Sequence, residues 1–95
     1  MVANVPDYCF DEVANHAVAL YLACSRRIVQ YSDMTRVHRW DVTAVGPIYR
    51  TRGQNFCLYG FGNIAQRVAD RVKPYGFHLY AYDTYASDAV FERFG

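Results

Sequence analysis

The chain has 95 residues, of which 53% are apolar, 17% aromatic and 20% charged, and its formal net charge is +1. This composition is typical of a globular protein and excludes a disordered chain. Basic and acidic residues are interspersed, which gives neither a nucleic-acid footprint nor a polybasic surface, so we predict no nucleic acid and no membrane as partners.

The cysteines and the amino terminus indicate the compartment. Cys9, Cys24 and Cys57 are odd in number and lack metal-ligand or disulfide spacing, so we expect buried, reduced thiols and no metal site. No signal peptide is apparent, and the apolar-rich stretch 13–24 is shorter than the about 20 residues that span a bilayer. We therefore predict a soluble, cytoplasmic protein.

The first third of the chain predicts the end of a strand and a long helix. Residues 2–5 have the pattern of a strand end, which Pro6 closes, and apolar residues recur at helical spacing from about Phe10 to Gln30. Acidic residues in the first turn and arginines in the last turn match the helix dipole. Two apolar surfaces result, one of Val13, Ala17, Leu20, Tyr21, Cys24 and Ile28, and one of Ala14, Val18, Leu22 and Val29. A helix with two apolar surfaces is buried on more than one side, which implies a missing domain or a partner subunit.

Residues 31–52 show no sustained periodicity, yet they carry many apolar side chains, among them Trp40. Two interpretations stay open: an arm that lies against another surface, and a packed internal loop.

The second half predicts a strand over 56–59, a helix from about Asn63 to Tyr75 and a second strand over 77–82. Asp88 to Phe94 has the pattern of a further helix. The expected buried face of the helix that begins at Asn63 consists of Ile64, Ala65, Val68, Ala69 and Val72. Cys57 is expected in the core, because it lies inside the first strand.

A glycine motif joins the first strand to this helix, in the order of a dinucleotide-binding βαβ unit. Gly60 permits a tight turn, Gly62 leaves room for a pyrophosphate, and the small Ala65 lets the helix pack closely on its strand. Free backbone N–H groups of Asn63 and Ile64 would point at the pyrophosphate, helped by the helix dipole. The alternative is an ordinary tight turn that binds nothing.

Asp83 follows the second strand, 23 residues after Gly60, close to the about 20-residue spacing of a ribose-binding acid. Its charge would repel a 2′-phosphate, so NAD is favoured over NADP; the alternative is an aspartate that only caps the turn before Ser87. The predicted cofactor-binding residues are therefore Gly60, Phe61, Gly62, Asn63, Ile64 and Asp83.

The sequence offers no convincing catalytic acid, base or nucleophile. His16, His38 and His78 have neither metal-ligand spacing nor a cysteine or serine at catalytic spacing. A packing or surface role is the expectation for each of them.

Taken together, these motifs resemble the NAD-dependent D-isomer-specific 2-hydroxyacid dehydrogenases, with the closest likeness to the C-terminal-binding-protein-like branch. The similarity covers essentially the whole chain: Asn4-Val5-Pro6-Asp7-Tyr8-Cys9 with Asp11 to Ala14, Arg26-Arg27, His38-Arg39-Trp40-Asp41, Arg52 to Ala65, Lys73 to Tyr85, and Ser87-Asp88. Two positions depart from the usual family pattern, which has Arg in place of Asn63 and Pro in place of Thr84.

The resemblance implies an α/β fragment of a two-domain enzyme, a partial Rossmann unit preceded by a long interdomain and dimerisation helix. Residues 1–9 would be the hinge and the end of the substrate domain, 10–52 the long helix and dimerisation arm of a homodimer, and 53–95 the first βαβ of the NAD-binding domain.

The same resemblance implies that the family's catalytic Arg, Glu and His lie outside these 95 residues, so the chain alone is expected to be inactive. Its parent would transfer a hydride between NAD and a small 2-hydroxy/2-oxo acid. The alternatives are a non-enzymatic, NAD-responsive co-repressor-like protein and an inactive remnant.

Overall fold

The computed structural model describes residues 1–94, and Gly95, the last residue of the predicted βαβ segment, lies outside them. Four α-helices are present in the described residues: α1 (Phe10–Ser25), α2 (Ile28–Arg36), α3 (Asn63–Val72) and α4 (Asp88–Phe94). Strands β1 (Asn55–Tyr59) and β2 (His78–Tyr82) pair in parallel, with Asn55 opposite His78 and Tyr59 opposite Tyr82.

The predicted strand–helix–strand unit is confirmed, with strand boundaries that differ by one residue. After α3 the chain makes a 3₁₀ turn over Lys73–Tyr75, which accommodates Pro74, and it reverses at Gly76 with φ of 78°. Glycine adopts that backbone conformation with the least strain, and it ends the 3₁₀ turn at this point. The predicted helix over 88–94 is confirmed as α4.

The core lies between α1, α3 and one face of the sheet. Ala14 and Val18 of α1 pack against Val68 and Val72 of α3, so the second of the two predicted apolar surfaces of α1 is the one that is buried. Partly buried side chains from α1, from β1, from β2 and from the residue just before β2 surround these four residues: Leu22, Phe56, Leu58, Leu79 and Phe77. On α3 itself Ile64 remains 37% exposed and Ala65 is half-buried, so the predicted buried face is narrower than expected.

The opposite face of the sheet is open to solvent. Cys57, Tyr59, Tyr80 and Tyr82 are all exposed there, and the expectation that Cys57 lies in the core is wrong for this structure. Cys24 is also exposed and Cys9 is half-buried. Strand alternation places Cys57 on the side away from α1 and α3, and parallel sheets are ordinarily covered on both faces.

The predicted single helix from Phe10 to Gln30 is wrong, because it breaks in two. Arg27 adopts a left-handed conformation with φ of 56° between α1 and α2, and the Ser25 hydroxyl donates to the Leu22 carbonyl (3.2 Å). That hydroxyl competes for a carbonyl at the end of α1. The apolar residues Ile28 and Val29 belong to α2, where they are 54% and 60% exposed.

Two further expectations are corrected at the ends of this region. Residues 2–5 form no strand, and part of the segment 31–52 is helical, because α2 extends to Arg36. Beyond Val37 the chain is irregular, and Trp40 and Tyr49 are 86% and 69% exposed. The radius of gyration is 17.3 Å, whereas a compact domain of this length has about 12 Å. The segment 37–52, called the arm below, is therefore largely exposed, and its place against another surface stays a prediction.

Within residues 1–94, no helix is both long and apolar enough to cross a membrane.

Candidate functional site

The glycine turn between β1 and α3 has the geometry that its two glycines were expected to provide. Gly60 has φ of 95°, and its N–H donates to the Tyr82 carbonyl of the neighbouring strand (2.7 Å). Gly62 has an extended backbone (φ −77°, ψ −169°), and a Cβ built there would meet nothing within 4 Å. Gly60 is thus required by its conformation, whereas Gly62 keeps a space open above the turn.

The amino terminus of α3 opens into that space. The first hydrogen bond of the helix runs from the Gln66 N–H to the Gly62 carbonyl (3.0 Å). The N–H groups of Asn63 and Ile64 precede that bond and have no acceptor within the helix, as in the first turn of any α-helix. No side chain caps them. They are free to bind an anion, and the positive end of the helix dipole favours one.

Asp83 lies beside this turn, because β1 and β2 are parallel and both end at the same edge of the sheet. Its Oδ2 accepts from the Phe61 N–H (2.6 Å), and its Oδ1 accepts from the N–H groups of Tyr85 (2.6 Å) and Ala86 (3.0 Å). The Phe61 N–H, followed by those of Tyr85 and Ala86, holds the pKa of Asp83 below its usual value. The carboxylate is therefore charged at neutral pH, and lone pairs remain for further donors.

Phe61, between the two glycines, makes contacts through its N–H, its carbonyl and its ring. Its N–H binds Asp83, its carbonyl accepts from Gln66 Nε2 (3.0 Å), and its ring is 3% exposed. The ring stacks on Phe91 at 5.3 Å between centroids and meets Phe94 edge-on at 5.1 Å. These contacts anchor the turn to α4 as well as to β2.

The arginines of α3 are committed to α1 rather than to the turn. Arg71 donates to Asp11 (2.7 Å) and Asn15 (2.6 Å), and Arg67 lies 3.4 Å from Asp11 and donates to the Asn63 carbonyl (3.0 Å). The Arg71 hydrogen bond is the main reason that the pKa of Asp11 is lowered. These contacts of Arg67 and Arg71 join α3 to α1.

The histidines take surface positions, as expected: His16, His38 and His78 are all exposed. Among residues 1–94, no group of three His, Cys, Asp or Glu side chains could hold a metal ion.

All six predicted cofactor residues meet at one edge of the sheet, where Gly60, Phe61, Gly62, Asn63 and Ile64 form the turn and Asp83 touches it. Gln66, whose side chain donates to the Phe61 carbonyl of the turn, also belongs to this group, and sequence analysis did not identify it. Its signal in the sequence is weak, since a glutamine in the first turn of a helix is ordinarily only solvated.

Three comparisons with known proteins bear on this site. Residues 18–95 match the family described as "D-isomer specific 2-hydroxyacid dehydrogenase, NAD binding domain". The chain is 34% identical over all 95 residues to the D-3-phosphoglycerate dehydrogenase of Mycobacterium leprae, of which it spans 18%. In structure it is similar to the pyruvate reductase of Chlamydomonas reinhardtii, with a TM-score of 0.82, 29% identity, and coverage of 98% of this chain and 27% of that one.

A third similar protein is the NAD-dependent formate dehydrogenase of Staphylococcus aureus, whose structure was solved in complex with NAD. There the TM-score is 0.75 and the identity 28%, over 80% of this chain and 23% of the other. The chain thus spans less than a third of the length of each of these three proteins.

Proposed function

The chain belongs to the D-isomer specific 2-hydroxyacid dehydrogenase family, whose NAD-binding domain it matches over residues 18–95, and from this premise we propose how it holds NAD. The pyrophosphate binds the turn of Gly60, Phe61 and Gly62 through the N–H groups of Asn63 and Ile64, and Asp83 accepts hydrogen bonds from the adenosine ribose.

One observation carries this proposal: the Phe61 N–H donates to Asp83 Oδ2 over 2.6 Å. That bond sets the ribose acceptor directly beside the phosphate-binding turn, at the carboxyl ends of two parallel strands, where open α/β sheets bind their ligands. The open space above Gly62 supports the same assignment, because a pyrophosphate must approach the backbone closely.

Asp83 also favours NAD over NADP. A carboxylate that stays charged at neutral pH repels a 2′-phosphate. Arg67, the basic residue of α3 nearest the turn in sequence, already pairs with Asp11 and with the Asn63 carbonyl. The turn therefore binds its anion with backbone N–H groups and the helix dipole alone.

We further propose that the complete protein is an enzyme that transfers a hydride between NAD and a small 2-hydroxy or 2-oxo acid. NAD, when bound, supplies the hydride chemistry, and the part played by this chain is to hold and orient it. Residues 1–9 would connect this unit to a substrate domain. The narrower placement in the C-terminal-binding-protein-like branch, and a cytoplasmic location, stay predictions.

A homodimer formed through residues 10–52 is the proposed assembly. The apolar side chains that α1, α2 and the arm leave exposed include Leu20 (54%), Val29 (60%), Trp40 (86%) and Val42 (68%). A groove of about 590 Å³ between α2 and the arm, bordered by Tyr31, Met34 and Trp40, could receive side chains of a second copy.

Calorimetric titration of the 95-residue chain with NAD and NADP tests the cofactor proposal. We expect NAD to bind more tightly than NADP, and Gly62→Val to weaken NAD binding at least tenfold without lowering the melting temperature. The reason is that φ at Gly62 suits any residue and its Cβ position is empty, so only the ligand is obstructed. NAD binding that is unchanged by Gly62→Val would contradict the assignment.

The catalytic proposal has a separate test in the coding sequence on both sides of these residues. A downstream Arg, Glu and late His in the same frame support the dehydrogenase, whereas their absence favours a co-repressor-like protein or a remnant.

A further inference from the structure

We propose that Gln66 is a positioning residue for the anion site, which aims the N–H of Gly62 at the cofactor by holding the peptide between Phe61 and Gly62. This inference rests on the proposed function and deepens it. The contact on which it depends is the hydrogen bond from Gln66 Nε2 to the Phe61 carbonyl (3.0 Å).

The geometry of a peptide unit makes this contact matter. The Phe61 carbonyl and the Gly62 N–H belong to one planar, trans peptide, so they point in opposite directions. When Gln66 draws the carbonyl towards α3, the N–H of Gly62 is turned away from the helix and towards the open space above the turn. That N–H joins those of Asn63 and Ile64 as a third donor for a pyrophosphate.

Without such a contact this peptide could rotate. The rotation takes place about ψ of Phe61 and φ of Gly62, and glycine crosses between backbone conformations at little steric cost. A rotated peptide would present the Phe61 carbonyl oxygen, rather than an N–H, to an approaching anion. The result would be a loss of one donor and a gain of one repulsive acceptor at the same place.

The peptide between Gly60 and Phe61 is held by Asp83 and not by Gln66, so the role of Gln66 concerns the next peptide alone. Asp83 fixes the Phe61 N–H, and the packing of the Phe61 ring against Phe91 and Phe94 fixes the residue in place. Gln66 therefore does not decide where the turn lies. It determines the orientation of a single peptide. That orientation affects the binding of an anion more than the stability of the fold.

The test compares Gln66→Met with the unsubstituted chain. Methionine keeps the length and helix propensity of glutamine but removes its donor. The matched control is Gln30→Met, the same substitution at an exposed position of α2. We expect Gln66→Met to raise the dissociation constants of NAD and of ADP about fivefold, and to change neither the dissociation constant of adenosine, which lacks phosphates, nor the melting temperature. Gln30→Met should change none of these.

A second variant, Gln66→Glu, keeps the shape and adds a charge that the helix amino terminus tolerates. It should weaken NAD binding more than methionine does, because a carboxylate repels both the Phe61 carbonyl and the pyrophosphate.

The outcomes separate the two proposals. Equal affinity for NAD in the Gln66→Met and unsubstituted chains would overturn the positioning role alone. A drop in melting temperature that accompanies an equal loss of NAD, ADP and adenosine binding would also overturn it, since that result marks a purely structural residue. An unsubstituted chain that binds no NAD would overturn the proposed function, and the role of Gln66 with it.

Discussion

The βαβ unit of residues 53–94 and the segment of α2 and its arm, residues 28–52, are both rich in apolar side chains but use them differently. The βαβ unit buries Val68, Ala69 and Val72 against α1 and the sheet, and both the N–H and the carbonyl of Phe61 in its turn are hydrogen-bonded. In the other segment none of residues 28–52 is buried. An apolar pattern alone therefore predicts that a surface will be buried. It does not indicate whether the same chain or another molecule buries that surface.

The largest expected effect distinguishes these two regions by stability. Val72→Asp places an unpaired charge at a fully buried position, which should lower the free energy of unfolding by about 3 kcal/mol or more and abolish the cooperative fold. Val42→Asp, at an exposed position of the arm, should change it by less than about 0.5 kcal/mol. Urea denaturation at low protein concentration, followed by circular dichroism, measures both. Equal destabilisation would mean that the arm packs on its own subunit.

Self-association should depend on the arm more than on the βαβ unit, the reverse of what we expect for stability. Trp40→Glu removes the largest exposed apolar side chain of the arm, and we expect the dimer dissociation constant to rise about 30-fold, or about 2 kcal/mol. Sedimentation equilibrium measures this constant. Tyr85→Glu is the control, because Tyr85 is 96% exposed in the βαβ unit, outside the proposed interface. A chain that remains monomeric at every concentration would contradict the proposed homodimer.

A smaller effect, on the affinity for NAD, should test the position of the anion site within the βαβ unit. Asn63→Arg adds a cation where the turn has only neutral donors, so NAD should bind about fivefold more tightly, or about 1 kcal/mol. The gain should shrink as salt is added. Asn55→Arg, the same change at the opposite end of β1, serves as the control. An unchanged affinity at low salt would indicate that the pyrophosphate does not lie at Asn63.

The smallest expected effect is the pH dependence of the turn. Because hydrogen bonds lower the pKa of Asp83 in the folded chain, its stabilising contribution is present above the unfolded value of about 4 and is lost as pH falls through the lower folded value. The melting temperature should therefore fall more steeply with acidification in the unsubstituted chain than in Asp83→Asn. Asp11 and Asp41 titrate in both chains and cancel in this comparison. Parallel curves would show that Asp83 does not support the turn.

Sequence reasoning succeeded where local chemistry decides the structure. The turn at Gly60 needs a positive φ, α3 has a clear helical period, and Gly76 ends the 3₁₀ turn that follows α3. These signals lie within a few residues of the features they specify, so the βαβ unit and the position of Gly62 could be predicted. The position of Asp83 followed from its 23-residue spacing after Gly60.

It failed where the local sequence gives no signal and where distant contacts decide. The break at Arg27 depends on a left-handed residue that is not glycine, and the apolar period runs on through Ile28 without a sign of it. The exposure of Cys57 could not be predicted either, because strand alternation shows that two faces differ but not which elements cover them. The contact between Gln66 and the Phe61 carbonyl requires the shape of the turn to be known first.

The open face of the sheet has a practical consequence, because it carries a thiol. Cys57 lies at its centre between Asn55 and Tyr59 along β1, opposite Tyr80 of β2. The rate at which an alkylating reagent modifies Cys57 thus becomes a footprint of whatever approaches that face, in a cell extract as readily as in a purified sample. Cys24 is also exposed, but it lies on α1 within the segment proposed for the dimer, so comparing the two rates distinguishes the covering of the sheet from self-association.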